Sequence, residues 1–443
     1  MIINFSKNKN FIILVIIFVI VFYIIQLNNN FQQSGEMIYA RAGHSSINLE
    51  DKILFVGGDK PNSAKTAELY DLNSNKIIKT YKLNFEHTLP SIFQNSRGEI
   101  IVIDNNSIER IDLNKEQSEV IQIKPFKLDC YVNATKNIQL SDDTVLITGG
   151  LENGTYKLVN NNFKNLTTGI PSRKAYIYDI NNFKIVKKLN MNYAHSEHSV
   201  IKLDNGNVLI FGGNSLSKEG ALSIEEFDSH NKKFNTVSYL NFPRMNALLT
   251  KQNNLVFLIA GQIFYKKNWE GKSIKANSNN IVEIYDINTK STIRLNTKLI
   301  DNKYDYYDIN NKNSFVTNLN NKYLLFFISQ RENKSKLIIY DTNCNKVIKD
   351  KTIDVGLYPN IDINNNIILF SGGEKRINPI SLLILTNICA YGKICTYKDS
   401  KKIKIMKVGN YGFKQFFDNF PTLPAPLFFV TFWNVNICIN KII

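Results

Sequence analysis

The chain has 443 residues, a formal net charge of +16 and five cysteines, Cys130, Cys344, Cys389, Cys395 and Cys438. Odd in number and widely scattered, the cysteines exclude a disulfide framework, and without a Cys-x-x-Cys pair they offer no structural zinc site. The positive charge runs through a sequence rich in Lys, Asn and Ile even at neutral positions; no basic cluster alternates with aromatics, which argues against nucleic acid and leaves an anionic partner open.

Phe11 to Ile25 reads FIILVIIFVIVFYII, with Lys7 and Lys9 before it and no charge from Gln26 to Gly35. Basic residues before an apolar run and none after it orient the amino terminus inward. The expectation is a cytoplasmic segment over 1–10, a transmembrane signal anchor over 11–27 and a linker or closing strand over 28–40. A cleaved signal peptide is the competing reading. Both export the body of the protein, to the outer face of a membrane or, after cleavage, as a secreted or periplasmic protein.

From Arg41 a repeat begins. Two apolar runs are joined by a polar turn, as at Ser141-Asp142-Asp143 and Asp204-Asn205-Gly206-Asn207. The second run is short, β-branched or aromatic, and apolar at successive positions: ILFVGG, EIIVIDN, TVLITGG, VLIFGG, LVFLIAG, YLLFFIS and IILFSGG. Such runs suit strands covered on both faces. After a variable loop comes a strand ending in Asp, preceded by an aromatic except at Ile111, then a turn with Asn: Asp71-Leu72-Asn73, Asp112-Leu113-Asn114, Asp179-Ile180-Asn181, Asp286-Ile287-Asn288, Asp341-Thr342-Asn343 and the looser Asp228-Ser229-His230-Asn231. Asp bonds its own following amides and starts a turn. Each unit therefore predicts a four-stranded antiparallel meander, and seven fit between Arg41 and Asn387. The last has Thr386 in the Asp position; its fourth strand is expected from Cys389 to Tyr397 or, from the amino end, from Glu36 to Ala40. Residues 399–443 carry no unit pattern.

Gly57-Gly58 with Tyr70-Asp71, Gly149-Gly150 with Tyr178-Asp179, and Gly212-Gly213 with Phe227-Asp228 resemble the kelch repeat, whose period is about 50 residues. Gly261 with Tyr285-Asp286, Tyr340-Asp341 and Gly372-Gly373 are weaker pieces. The resemblance implies an all-β fold, a kelch-type β-propeller of seven or six four-stranded blades over 41–398. It also implies that these residues are scaffold. Asp104-Asn105 replaces the glycine pair in the second unit, the sixth has none, and the family tryptophan is missing from every unit.

Binding residues are expected on the face that bears the loops after second strands. The long loop 151–174 holds Tyr156 and Arg173; the other, 262–280, holds Tyr265, Lys266, Trp269 and Lys272. An aromatic among cations suits a sugar or an anionic ligand. Arg41, His44, His195, His198 and Arg244 stand just before first strands, where the resemblance implies ligand contacts near a channel mouth. The expected function is recognition of a protein or glycan by a membrane-tethered binding protein without a cofactor or metal. The alternative is a sugar-converting enzyme of the mutarotase or epimerase kind, with Glu197 and His198 as acid and base. A copper-radical oxidase would need two His and two Tyr on one metal; none of the five His stands in a recognisable ligand motif.

Overall fold

The computed structural model describes residues 32–104, 107–123, 130–152, 170–261, 282–295, 315–320, 323–328, 335–353, 360–364, 367–371, 374–376, 397–399 and 402–407. The apolar run at 11–25 and the glycines Gly372 and Gly373 lie outside them. Among the described residues no helix is long and apolar enough to cross a membrane.

The chain enters through β1 (Gln32–Glu36). Six four-stranded antiparallel meanders follow, each made of consecutive strands. The first sheet is β2 (Ser45–Leu49), β3 (Lys52–Val56), β4 (Thr66–Asp71) and β5 (Lys76–Lys82). The second is β6 (Ser91–Gln94), β7 (Ile100–Ile103), β8 (Ser107–Ile111) and β9 (Glu119–Ile123). The third is β10 (Cys130–Ser141), β11 (Thr144–Glu152), β12 (Ile170–Asp179) and β13 (Lys184–His195). The fourth is β14 (Ser199–Lys202), β15 (Val208–Phe211), β16 (Ser223–Asp228) and β17 (Lys233–Tyr239). The fifth is β18 (Leu248–Gln252), β19 (Leu255–Ile259), β20 (Val282–Asp286) and β21 (Ser291–Leu295). The sixth is β22 (Phe315–Asn320), β23 (Tyr323–Ile328), β24 (Ser335–Asp341) and β25 (Lys346–Ile353). Two single-turn helices, α1 (Pro61–Ala64) and α2 (Lys218–Leu222), occupy the loops after β3 and β15.

The apolar second strands are buried from both sides, because successive side chains point to opposite faces. Leu54 and Val56 of β3 pack with Ile100 and Val102 of β7, while Ile101 and Ile103 turn the other way onto Val145 and Ile147 of β11. The same interdigitation joins the third sheet to the fourth, the fourth to the fifth and the fifth to the sixth. Each fully buried aliphatic contributes roughly 1.5–3 kcal/mol over leaving it in water. Aromatics before the Asp turns fill four of these seams, at Tyr178, Phe227, Tyr285 and Tyr340, and Tyr70 is buried against Phe55 of its own sheet. The six sheets, each packed on the next, form a propeller-like arrangement within the compact unit Gln33–Asp362 with Leu369–Lys404.

The Asp turns form as their chemistry demands. Asp179 accepts from the amides of Asn181 and Asn182 at 2.9 and 2.8 Å, and Asp228, Asp286 and Asp341 repeat the pattern. Asp71 accepts from the Ser74 amide at 2.7 Å. The left-handed residue comes four after the Asp, at Asn75, Phe183, Lys232, Lys290 and Asn345, and not at the Asn that marks the turn in the sequence.

A seventh four-stranded sheet departs from the meander, with order β1-β30-β27-β26, where β26 is Asn360–Asn364, β27 is Ile367–Ser371 and β30 is Lys402–Lys407. A two-stranded ribbon of β28 (Glu374–Arg376) and β29 (Tyr397–Asp399) lies between β27 and β30 in the chain. The edge strand comes from the amino end but ends at Glu36, where Glu36 to Ala40 was one expectation. The reason lies just downstream: the amides of Ile38 and Tyr39 are committed to the Glu68 carboxylate at 2.8 and 3.0 Å and cannot join a ladder. The place beside β27 goes to a strand from the segment that shows no unit pattern.

Candidate functional site

Three of the residues placed just before first strands, Arg41, His195 and Arg244, are buried and face glutamates on the third strands of the sheets they lead into. Arg41 Nη2 donates to Glu68 at 2.5 Å, Arg244 Nη2 to Glu283 at 2.5 Å, and His195 Nε2 lies 2.9 Å from Glu225. A fourth copy, outside the sequence expectation, is His87 with Glu109 at 2.9 Å. The glutamate also binds the approaching backbone. Asn84 and Phe85 donate their amides to Glu109, and Asn192 and Tyr193 donate theirs to Glu225, at 2.7–2.9 Å. Asn241 gives the same bond to Glu283 at 2.8 Å. Each buried carboxylate thus takes a basic side chain and the amide three residues before that side chain, and Glu68, Glu109 and Glu225 take the amide two before it as well, so the polar groups satisfy one another.

The other side of each latch reaches the glycine pair. Arg41 Nη1 donates to Gly57 O at 2.7 Å, Arg244 Nη1 to Ala260 O at 3.0 Å, and His195 Nδ1 lies 2.7 Å from Gly212 O. The second sheet has Asp104 there instead, and it holds His87 Nδ1 at 2.6 Å. That accounts for the missing glycine pair of the second unit. Burial alone would lower the His87 pKa, but hydrogen bonds to Asp104 and Glu109 outweigh it and raise it to about 9. Burial likewise pushes Glu109 up, while His87, Ser118 and the Asn84 amide hold it at about 2. Burial lowers both Arg41 and Arg244 from their ordinary value, against the pull of their glutamates.

The glycines matter at the seam with the next sheet. A Cβ on Gly57 would stand 2.3 Å from the carbonyl of His87, and one on Gly149 2.2 Å from that of His195. The amides of Gly58 and Gly213 bond the carbonyls of His87 and Arg244 across the same seams, at 2.9 and 2.8 Å. Two residues past each latch the backbone is left-handed, at Gly43, Leu89, Glu197 and Asn246. The Leu89 amide donates to Gly43 O and the Asn246 amide to Glu197 O, both at 2.7 Å, so neighbouring sheets are stitched a second time.

His44 and His198 lie beneath this layer. Both are buried, and burial holds both well below the ordinary histidine value. His198 Nε2 pairs with Thr148 Oγ1 at 2.8 Å. Glu197 is half-buried beside it. The two are adjacent in the chain, but the histidine is a neutral interior group. Lys136 of β10 reaches past the fourth sheet to Asn246 Oδ1 at 3.0 Å. Arg173 is exposed and its Nε donates to Met191 O at 2.9 Å. Tyr156, Tyr265, Lys266, Trp269 and Lys272 lie outside the described residues. Among the described residues no group of three or more His, Cys, Asp or Glu is placed to hold a metal ion.

What the sequence expectation missed has a signal in hindsight. The latches read Asn84-Phe85-Glu86-His87, Asn192-Tyr193-Ala194-His195 and Asn241-Phe242-Pro243-Arg244, with Ile38-Tyr39-Ala40-Arg41 as a variant. Their glutamates stand three before the turn Asp, at Glu68, Glu109, Glu225 and Glu283. No protein-family model matches the chain, and no curated protein matches it.

Proposed function

We propose that this is an exported, membrane-anchored binding protein of kelch-like build, recognising a protein or a glycan through the face that carries the loops after second strands. The observation that carries this reading is the latch layer. In four sheets a buried basic residue and glutamate pin the connections on that one face, giving its loops a fixed base. The two long loops run between β11 and β12 and between β19 and β20, the sheets on either side of the fourth. Their Tyr156, Tyr265, Lys266, Trp269 and Lys272 supply aromatic and cationic chemistry for a polar or anionic ligand. The anchor rests on the apolar run 11–25 and the lysines before it.

The test is the full chain in detergent, offered to a glycan array and a peptide array. Selective, saturable binding that Trp269→Ala weakens supports the reading. Absence of saturable binding on both arrays overturns it, as does anomeric or epimeric exchange of an array sugar by NMR that Glu197→Gln abolishes.

A further inference from the structure

Each latch carries an aromatic two residues before its basic side chain: Tyr39, Phe85, Tyr193 and Phe242. All four are half-buried. The amides of Tyr39, Phe85 and Tyr193 are held by the latch glutamates, so these rings are set on fixed backbone. Two of them have a described companion on the outermost strand of the sheet that follows the latch. Phe242 lies under the Arg294 guanidinium at 5.2 Å from the ring centroid. Tyr193 meets Tyr239, their hydroxyls 3.1 Å apart. Tyr239 is 45% exposed. Asn192, next to Tyr193, donates its side-chain amide to Thr236 Oγ1 at 3.0 Å, which ties the pair to β17. Glu219 is exposed on α2, which packs against β13, the strand that carries Tyr193; the Tyr193 phenol's pKa is raised, first by its bond to Tyr239 and to a lesser degree by the Glu219 charge.

We propose that Tyr193, Tyr239 and Glu219 form a carbohydrate subsite that takes a neutral pyranose of an oligosaccharide. The inference deepens the binding reading above and rests on it. An exposed tyrosine ring offers an apolar face to the C–H face of a sugar ring. It orders at low cost because few torsions are frozen. One hydroxyl of the pair donates to the other, so the pair keeps one donor and free acceptor lone pairs for sugar hydroxyls. Glu219 accepts from further hydroxyls and disfavours a carboxylated or sulfated sugar, although the chain as a whole is basic. A protein partner would need a broader apolar surface than one ring pair beside a carboxylate.

The experiment is calorimetric titration of the full chain in detergent with cellohexaose, maltohexaose and N-acetylated chitohexaose, with a hyaluronan hexasaccharide as the anionic control. At least one neutral sugar binds saturably and hyaluronan does not. Tyr239→Ala weakens that binding about tenfold, the scale of one aromatic contact. Tyr239→Phe, which keeps the ring, weakens it only about threefold, as for one neutral hydrogen bond. Glu219→Gln admits hyaluronan. The melt of each variant is recorded alongside. The subsite is rejected if no neutral sugar binds, or if Tyr239→Ala binds as the parent does with an unchanged melt. Loss on Trp269→Ala with Tyr239→Ala unaffected removes the subsite and keeps the long-loop reading. The reverse result keeps the subsite and removes the loops.

Discussion

Among the described residues the first, second, fourth and fifth sheets carry a latch, and the third and sixth show none. At the place of the latch glutamate the third sheet has Tyr176 and the sixth has Ile338, and both lie in apolar seams. The connection changes with the residue. In the latched sheets the first strands are four or five residues long and begin only after the latch. In the third sheet the residues corresponding to the latch are drawn into β10, 12 residues long, which pairs with β11 through a bulge between Tyr131 and Thr135. With no carboxylate to receive them, amides find partners in the ladder. A buried pair of this kind need not add net stability, since apolar replacements often do as well. What it adds here is geometry: the chain enters four sheets in one fixed way.

Breaking a single latch is expected to have the largest effect. Glu283→Ala leaves Arg244 buried without its carboxylate and should cost about 3–5 kcal/mol, whereas Arg244→Met with Glu283→Leu should recover most of it. Urea midpoints of the two variants decide the point. A double variant as unstable as the single one would show that the latch itself, and not just its pairing, is needed.

The His87 latch should show as a pH dependence. Its folded pKa of about 9 lies above the ordinary histidine value of 6.5, so its contribution is complete below pH 6.5 and is lost as pH rises through 9. The shift corresponds to on the order of 3 kcal/mol. Glu109, held at about 2 against an ordinary 4.5, contributes above pH 4.5 and loses this as pH falls through 2. His44 and His198 act in the opposite sense to His87. Their folded pKa values are depressed, so unfolding takes up protons and stability falls below pH 6.5. Stability measured against pH should therefore peak near 6.5, and His87→Gln should flatten the alkaline limb. An unchanged alkaline limb would separate His87 from the latch.

The glycine at the seam offers a smaller contrast. Gly149→Ala should cost roughly 2 kcal/mol, from left-handed strain and the clash with His195 O. Ala260 already holds the equivalent place at φ 54, and Ala260→Gly should change stability by less than about 1 kcal/mol. Thermal melts of both variants check the difference; equal shifts would mean that the neighbouring sheet yields freely.

Much of the fold was legible because its signals are local. Apolar runs such as ILFVGG and VLIFGG announce strands covered on both faces, Asp179 and Asp228 bond amides two and three residues away, and the polar turns join strands that are neighbours in the chain. The site was less legible. Arg41, His195 and Arg244 could be placed before first strands from the sequence, but their partners Glu68, Glu225 and Glu283 stand 27, 30 and 39 residues further along the chain and meet them only through the fold. His87 had no expected role, and Glu109, its partner, reads in the sequence as one more charged residue of a strand.

The sequence by itself determined the meander, the seams and the turns, since each depends on residues within one unit and on the two-residue alternation of strands. The tertiary structure alone decided which charges are interior, which backbone residues turn left-handed at Leu89 and Glu197, and that β1 and β30 share a sheet. Those features depend on which carboxylates, carbonyls and strand edges come within bonding distance once sheets pack, and separation along the chain carries no record of that.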